Sequence, residues 1–250
     1  MSDVLLSVEH LVKHFGGIKA TDDLSLDVRS GEIHALIGPN GAGKTTLISQ
    51  LIGETAPDAG MIRMNNVSIN GLSTPQRVTR GLARTFQITE LLREETALAN
   101  VALAVQARHG HSFHFFSNAR AERALLDPAL QFLADVGMAG RADIAVSELS
   151  HGEHKQLELA IALAARPKIL LLDEPMAGLG AAESQEMTAI LQALKGRLAI
   201  LLVEHDMQAV FALADRISVL VYGRLIATGT AAEIQANGDV RAAYLGEGDA

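Results

Sequence analysis

The chain of 250 residues is 48% hydrophobic, enough to bury a sizeable core in one large domain or a domain with a small insert. It contains no cysteine, which excludes disulfides, zinc–thiolate sites and thiol catalysis, and makes the cytosol the expected compartment. A formal net charge of −8 disfavours a broad surface for nucleic acid or anionic lipid, and leaves local phosphate binding open.

The opening stretch carries Asp3 and Glu9 among its apolar residues and lacks the basic region and long apolar run of a secretory signal, so no export is expected. The longest strongly apolar uncharged stretch, Thr96 to Ala107, falls well short of the roughly 18 residues that cross a bilayer. Any membrane role is therefore expected to come through a partner.

Two β-rich runs come first, Leu5 to Phe15 and Leu24 to Val28, with Gly16 and Gly17 supplying a turn between them. In the second, Leu24, Leu26 and Val28 alternate with Ser25 and Asp27 at the period of a half-buried strand. Ile33 to Ile37 predicts a short buried strand that feeds a glycine-rich turn, then a helix from about Gly43 to near Gly53. From about Glu90 to Val146 the composition becomes rich in Ala and Leu with helical spacing, which predicts a helical insert. Within it, Leu125, Leu126, Leu130 and Leu133 are expected on one helix face. Continuous apolar runs at Ile169 to Leu172, Ala199 to Val203 and Ile217 to Val221, separated by helices, predict a parallel sheet covered on both faces.

Gly38, Pro39, Asn40, Gly41, Ala42, Gly43, Lys44 and Thr45 match GxxxxGK[ST], the Walker A phosphate loop, in the strand-to-helix setting that this pattern requires. Its glycines let backbone N–H groups curl around the phosphates of ATP, and the helix N-terminus adds a favourable dipole. Lys44 is expected to neutralise the β and γ oxygens, Thr45 to ligate Mg²⁺ and Thr46 to reach the α-phosphate. Asp173 and Glu174 come directly after an apolar strand in the arrangement called Walker B. Charges at that position are costly without a purpose. Asp173 is expected to hold Mg²⁺ through its water shell, and Glu174 to orient and deprotonate the attacking water. Without the phosphate loop, the pair before Pro175 would be read as punctuation at a strand end.

Between these motifs, Leu149, Ser150, His151, Gly152 and Glu153 resemble the LSGGQ signature of ABC ATPases. The same residues fit the capping box SxxE at the start of a helix from Glu153 to Ala165, and the two readings are compatible. The resemblance implies an α/β P-loop NTPase core with a mainly parallel sheet, an N-terminal antiparallel β subdomain and a helical insert. It implies a single ABC ATPase domain, with residues 1–89 as β-rich and P-loop core, 90–150 as helical subdomain, 151–228 as core completion and 229–250 as C-terminal tail. It also implies a head-to-tail dimer, homomeric or with a related ATPase, in which the signature residues Ser150, His151, Gly152 and Glu153 bind ATP in trans, Ser150 and Gly152 contacting the γ-phosphate held by the opposite phosphate loop. Gln87, in the segment ARTFQ, resembles the Q-loop residue that senses Mg²⁺ and the γ-phosphate. His205, in VEHDM, resembles the switch histidine, a catalytic residue that contacts the γ-phosphate or the attacking water, and Phe15 resembles the aromatic that stacks on adenine. Departures from the pattern are His151 for Gly, Glu153 for Gln, and Gly180 where the D-loop carries Asp.

Phe15 with Gly16 and Gly17, ARTFQ, Asp173 to Leu179, VEHDM, and the ending Gly229 to Ile234 with Tyr244, Leu245 and Gly246 together resemble ATPases of branched-chain amino acid importers. That resemblance implies permease partners in a bacterial inner membrane, a periplasmic binding protein acting indirectly, a location on the cytoplasmic face and no nucleic-acid partner. Relatives of the subgroup carry urea, amides or small organic acids. A soluble ABC ATPase of translation or repair and a nucleotide-gated scaffold are the competing readings, the latter disfavoured by Glu174 and His205. His109, His111 and His114 lie beside Phe113, Phe115 and Phe116 in a spacing that fits no standard metal pattern, and a coupling surface is the simpler reading.

Overall fold

A computed structural model describes residues 3–85, 91–109 and 123–242. The N-terminal half contributes β1 (Val4–Phe15), β2 (Ile18–Arg29), β3 (Ile33–Ile37), α1 (Lys44–Ile52), β4 (Ala59–Met64), β5 (Val67–Ser68), α2 (Thr74–Thr79) and β6 (Leu82–Arg84). Helices α3 (Ala97–His109) and α4 (Arg123–Asp135) come next, then α5 (His151–Ala164), β7 (Ile169–Asp173), α6 (Ala181–Leu194), β8 (Ala199–Val203), α7 (Met207–Leu213), β9 (Arg216–Val221), β10 (Arg224–Gly229), α8 (Ala231–Ala236) and α9 (Gly238–Val240).

Among the described residues the strands form two sheets. One is antiparallel, in the order β2-β1-β4-β5; the other runs β10-β9-β3-β8-β7-β6, parallel throughout except for the β9–β10 pair. Every residue of β3, β7 and β8 is buried, as strands covered on both faces require. One core lies between the two sheets around α1, with Leu24, Leu26 and Val28 of β2 facing Leu47, Ile48 and Leu51. A second packs α3, α4, α5 and α6 against the far face of the large sheet.

The β1–β2 turn falls at Gly16 and Gly17 as expected, but β2 begins six residues before Leu24. Its first half, Ile18 to Asp23, pairs with the end of β1 through register shifts. The polar composition of that half conceals it, because its pairing is made by backbone. In α4 the buried positions are Leu125, Ala129 and Leu133, spaced by four, and Leu130 is 40% exposed. The expected leucine face is therefore rotated, with small Ala129 at its centre. Among the described residues no helix is long and apolar enough to cross a membrane.

One polar network is sealed inside the fold. His34 on β3 is fully buried, with Nδ1 2.9 Å from the Asp27 carbonyl and Nε2 2.8 Å from the Ser218 hydroxyl, which lies 2.7 Å from that of Thr228. Burial, reinforced by the nearby Arg216 guanidinium, lowers the His34 pKa from the usual 6.5 to about 4. Between these values the unfolded chain binds a proton that the folded chain refuses. The associated stability is thus fully present above pH 6.5 and drains away as the pH falls towards 4. Its size is about 3 kcal/mol. In urea unfolding, His34→Gln should lose stability at pH 7 yet decline less between pH 6.5 and 4 than the wild type; parallel declines would show that His34 titrates normally.

Candidate active site

Three neighbouring parallel strands, β3, β8 and β7, end at the same edge of the large sheet, with Leu36 level with Val203 and Val203 level with Asp173. Beyond β3 the chain enters a glycine loop, beyond β8 it reaches a histidine, and β7 ends in a pair of carboxylates. Ligands of open α/β sheets bind at such carboxyl ends.

The glycine loop is shaped by backbone packing on both sides. A Cβ at Gly38 would stand 2.1 Å from the Leu220 carbonyl oxygen, and one at Gly43, where φ is +108°, would stand 2.1 Å from that of Ala20. No side chain fits either place. The loop is fastened further by the Gly223 N–H, which donates to the Ala42 carbonyl at 2.8 Å. Asn40 and Gly41 are exposed, as is Thr45 in the first turn of α1, and Thr46 is half-buried. Lys44, 6% exposed, donates from Nζ to the carbonyls of Gly38 at 2.7 Å and Pro39 at 3.0 Å, so its ammonium lies inside the curve of the loop. Burial lowers its pKa, opposed by the negative charges of Glu174 and Asp173. These three charged groups therefore share one field.

Asp173 is 4% exposed, and its pKa is raised first of all by burial. Arg84 opposes this, donating from Nη2 to Asp173 Oδ2 at 2.9 Å while its Nη1 reaches Glu54 at 3.3 Å. Glu174 comes next with φ at +52°, a left-handed conformation uncommon outside glycine, and its N–H donates to the Val203 carbonyl at 2.8 Å. That turn swings the side chain towards the next strand, where Glu174 Oε1 lies 2.8 Å from His205 Nε2. The two expected catalytic groups are therefore in direct contact, joined through loops 31 residues apart in the chain.

Ser150 caps α5: its hydroxyl accepts the Glu153 N–H at 3.2 Å and its own N–H donates to Glu153 Oε2 at 2.8 Å. Glu153 also holds Arg141 at 2.7 Å, so this departure from the signature completes both a capping box and an ion pair. His151 lies over the backbone of Gly178, and a Cβ on Gly152 would come within 2.6 Å of Glu183 Oε1. Glu183 in turn accepts the Gly180 N–H at 3.0 Å. Among the described residues Ser150, His151, Gly152 and Glu153 make no hydrogen bond with residues 38–46 of the same chain. Phe15 is 51% exposed at the tip of the β1–β2 hairpin, 5.5 Å beneath the Lys13 ammonium, on the hairpin whose Ala20 abuts Gly43. Gln87, His111 and His114 lie outside the described residues. So do the three insert phenylalanines and the side chain of His109. Among the described residues no cluster of His, Cys, Asp or Glu is suited to hold a metal alone.

Two residues at the site have no counterpart among those the sequence motifs single out. Arg84 belongs to ARTFQ, whose resemblance points to Gln87 instead. Glu204, 3% exposed, accepts backbone N–H groups from Met176, His205 and Asp206. Its signal in the sequence is the one that exposes Asp173, an acid set directly after an uncharged apolar strand.

The fold and the loop define an ATPase of the P-loop class. The profile of the ABC transporter family matches residues 21–177, and that of the branched-chain amino acid ATP-binding cassette transporter matches residues 224–250. The chain is 39% identical over 254 residues to the high-affinity branched-chain amino acid transport ATP-binding protein LivG of Salmonella typhimurium, covering 99% of this chain and 100% of that one. It is 37% identical over 255 residues to BraF of Pseudomonas aeruginosa, a protein described in the same words, again over 99% and 100%. The crystal structure of the ADP conformation of MJ1267, an ATP-binding cassette of an ABC transporter, superposes with a TM-score of 0.86 at 29% identity, over 98% of this chain and 100% of that one. A nucleotide-free cassette from an ABC transporter gives 0.84 at 28% identity, over 97% and 99%. The chain belongs to the ABC transporter family, as one of its ATP-hydrolysing cassettes.

Gly43→Ala should destabilise the fold by more than about 2 kcal/mol, since the strained backbone and the blocked Cβ act together. Urea unfolding measures this, and an unchanged midpoint would mean that β2 can retreat from the loop.

Proposed function

We propose that the chain is the motor subunit of an importer for branched-chain amino acids, converting ATP hydrolysis into the opening and closing of permease partners in a bacterial inner membrane. The contact between Glu174 and His205 at 2.8 Å, one strand away from the phosphate loop, supports turnover rather than binding alone. End-to-end similarity to two transport ATP-binding proteins of that substrate class, with the C-terminal match over 224–250, supports the cargo.

The chain acts as one ABC ATPase domain, its parts being 1–89, 90–150, 151–228 and the tail 229–250. Gly38, Pro39, Asn40, Gly41, Ala42 and Gly43 wrap the phosphates with backbone N–H groups. Lys44, already turned into the loop, exchanges carbonyl partners for β and γ oxygens, and Thr46 reaches the α-phosphate. Phe15, exposed at the hairpin tip, stacks on adenine. Thr45, Asp173 and Gln87 offer oxygen donors of the hard type that suits Mg²⁺, and the buried Asp173 already carries a cationic partner in Arg84. When bound, Mg²⁺ supplies neutralisation of phosphate charge.

Glu174 takes a proton from water as the water oxygen bonds to the γ-phosphorus and the bond to the β–γ bridging oxygen breaks, leaving ADP and phosphate. His205, with Nε2–H directed at Glu174, holds that carboxylate towards the water. Ser150, His151, Gly152 and Glu153 complete the opposite site of a head-to-tail dimer, consistent with a capped helix start that meets no phosphate loop within its own chain. A second ATPase subunit and the permeases are thus direct partners, with a periplasmic binding protein acting through the permeases from the other side of the membrane.

Glu174→Gln should lower ATP turnover by about 100-fold or more and leave an ATP-bound dimer visible by light scattering. Normal turnover in this variant would remove Glu174 from the role of base. Lys44→Ala should weaken ATP binding by about tenfold or more in a titration with a fluorescent analogue, because the ion pair to phosphate is lost. For the cargo, deletion of the encoding gene should abolish uptake of labelled leucine; intact uptake would redirect the assignment to another small polar substrate.

A further inference from the structure

Beyond β7 and β8 the two chain segments leave the sheet, and among the described residues three hydrogen-bonded contacts hold them together. The Glu174 N–H donates to the Val203 carbonyl at 2.8 Å, and the Met176 N–H donates to Glu204 Oε1 at 2.8 Å. The His205 imidazole closes on Glu174 at 2.8 Å. Of these only the second uses a side chain that touches no reacting atom.

Glu204 is 3% exposed, and its hydrogen-bond partners among the described residues are all backbone amides: Met176 on one oxygen, His205 at 2.9 Å and Asp206 at 3.3 Å on the other. No ion pair to Glu204 occurs among the described residues. A buried carboxylate is costly to desolvate, and a neutral side chain could fill the space, so the charge must serve what it binds. It binds both loops at once. One oxygen fixes the segment just past Glu174, and the other gathers the two N–H groups of the histidine loop. From the other side, Asp206 caps α7 by accepting the N–H groups of Gln208 at 2.9 Å and Ala209 at 3.2 Å. His205 is thus held between two acids, each bonded to backbone, so its ring has a fixed base from which to reach Glu174.

We infer that Glu204 is a positioning residue for hydrolysis, a carboxylate staple that couples the loop after Glu174 to the loop of His205 and sets the distance between those two side chains. The inference rests on the roles given to Glu174 and His205 above. It separates the demands on the site: ATP binding depends on β3 and its loop, whereas the staple acts only on the chemistry at the ends of β7 and β8. The staple also ties Met176, which leads into the Ala177 to Gly180 segment, to the same carboxylate. Movement of that segment and movement of His205 are therefore linked.

Glu204→Gln keeps the volume but turns one acceptor into a donor, which must then face either the Met176 N–H or the His205 and Asp206 pair. In the full-length protein, kcat for ATP should fall by about 10- to 100-fold, as expected for a small misplacement of catalytic groups, with KM changed less than about twofold. Amide hydrogen exchange without nucleotide should quicken at Met176, His205 and Asp206 while the amides of β3 and α1 keep their protection. Glu204→Asp, which retains charge but lacks the reach to span both loops, should show the same split in milder form. Unchanged kcat and exchange, a parallel loss of ATP affinity, or failure of both variants to fold would each overturn the inference. Absence of ATP turnover in the wild type, with exchange at the three amides still quickened in the variants, would instead count against the proposed function and leave the staple standing as a structural link.

Discussion

At both ends of the loop 38–43, at Gly38 and at Gly43, the backbone has neighbours too close to admit a side chain. The Leu220 carbonyl presses on Gly38 and the Ala20 carbonyl on Gly43, while Gly223 reaches across to Ala42. These contacts come from β9, β2 and the turn into β10, so the loop is where the antiparallel and parallel sheets meet. Its curvature is imposed by the packing of both sheets, and Lys44 can turn inward because that curvature already exists. Preorganisation of this kind lowers the conformational entropy lost when phosphate binds.

The charged groups at the sheet edge depend on that frame. Asp173 would be costly in so buried a position on its own; Arg84 offsets part of the cost and links Asp173 to Glu54, just past the end of α1. The left-handed turn at Glu174 does the rest, so that Asp173 meets Arg84 of β6 on one side while Glu174 reaches His205 beyond β8 on the other. Strain there is sustained by the bond from the Glu174 N–H to Val203, so sheet register and side-chain direction are parts of a single arrangement.

Much of this can be read without coordinates, for identifiable reasons. The parallel strands Ile169 to Leu172 and Ala199 to Val203 announce themselves because burial on both faces leaves no polar residue in them. The phosphate loop does so because its glycines are required by sterics. The first half of β2 stays hidden because backbone pairing, not apolar alternation, makes it a strand, and the face of α4 is rotated from its leucine pattern because a small residue, Ala129, sits at its centre. Arg84 and Glu204 escape for a different reason. Their importance lies in contacts spanning 89 and 28 residues, which no local pattern encodes.

Glu183 caps the start of α6 and at the same time occupies the volume where a side chain at position 152 would lie. The two positions are therefore not free to vary independently: a chain that gains a methyl group at 152 must shorten or redirect the residue at 183, and with it surrender the cap that Gly180 now relies on. Across related sequences this steric exclusion should leave a statistical trace, with the residue types at 152 and 183 drifting as a pair.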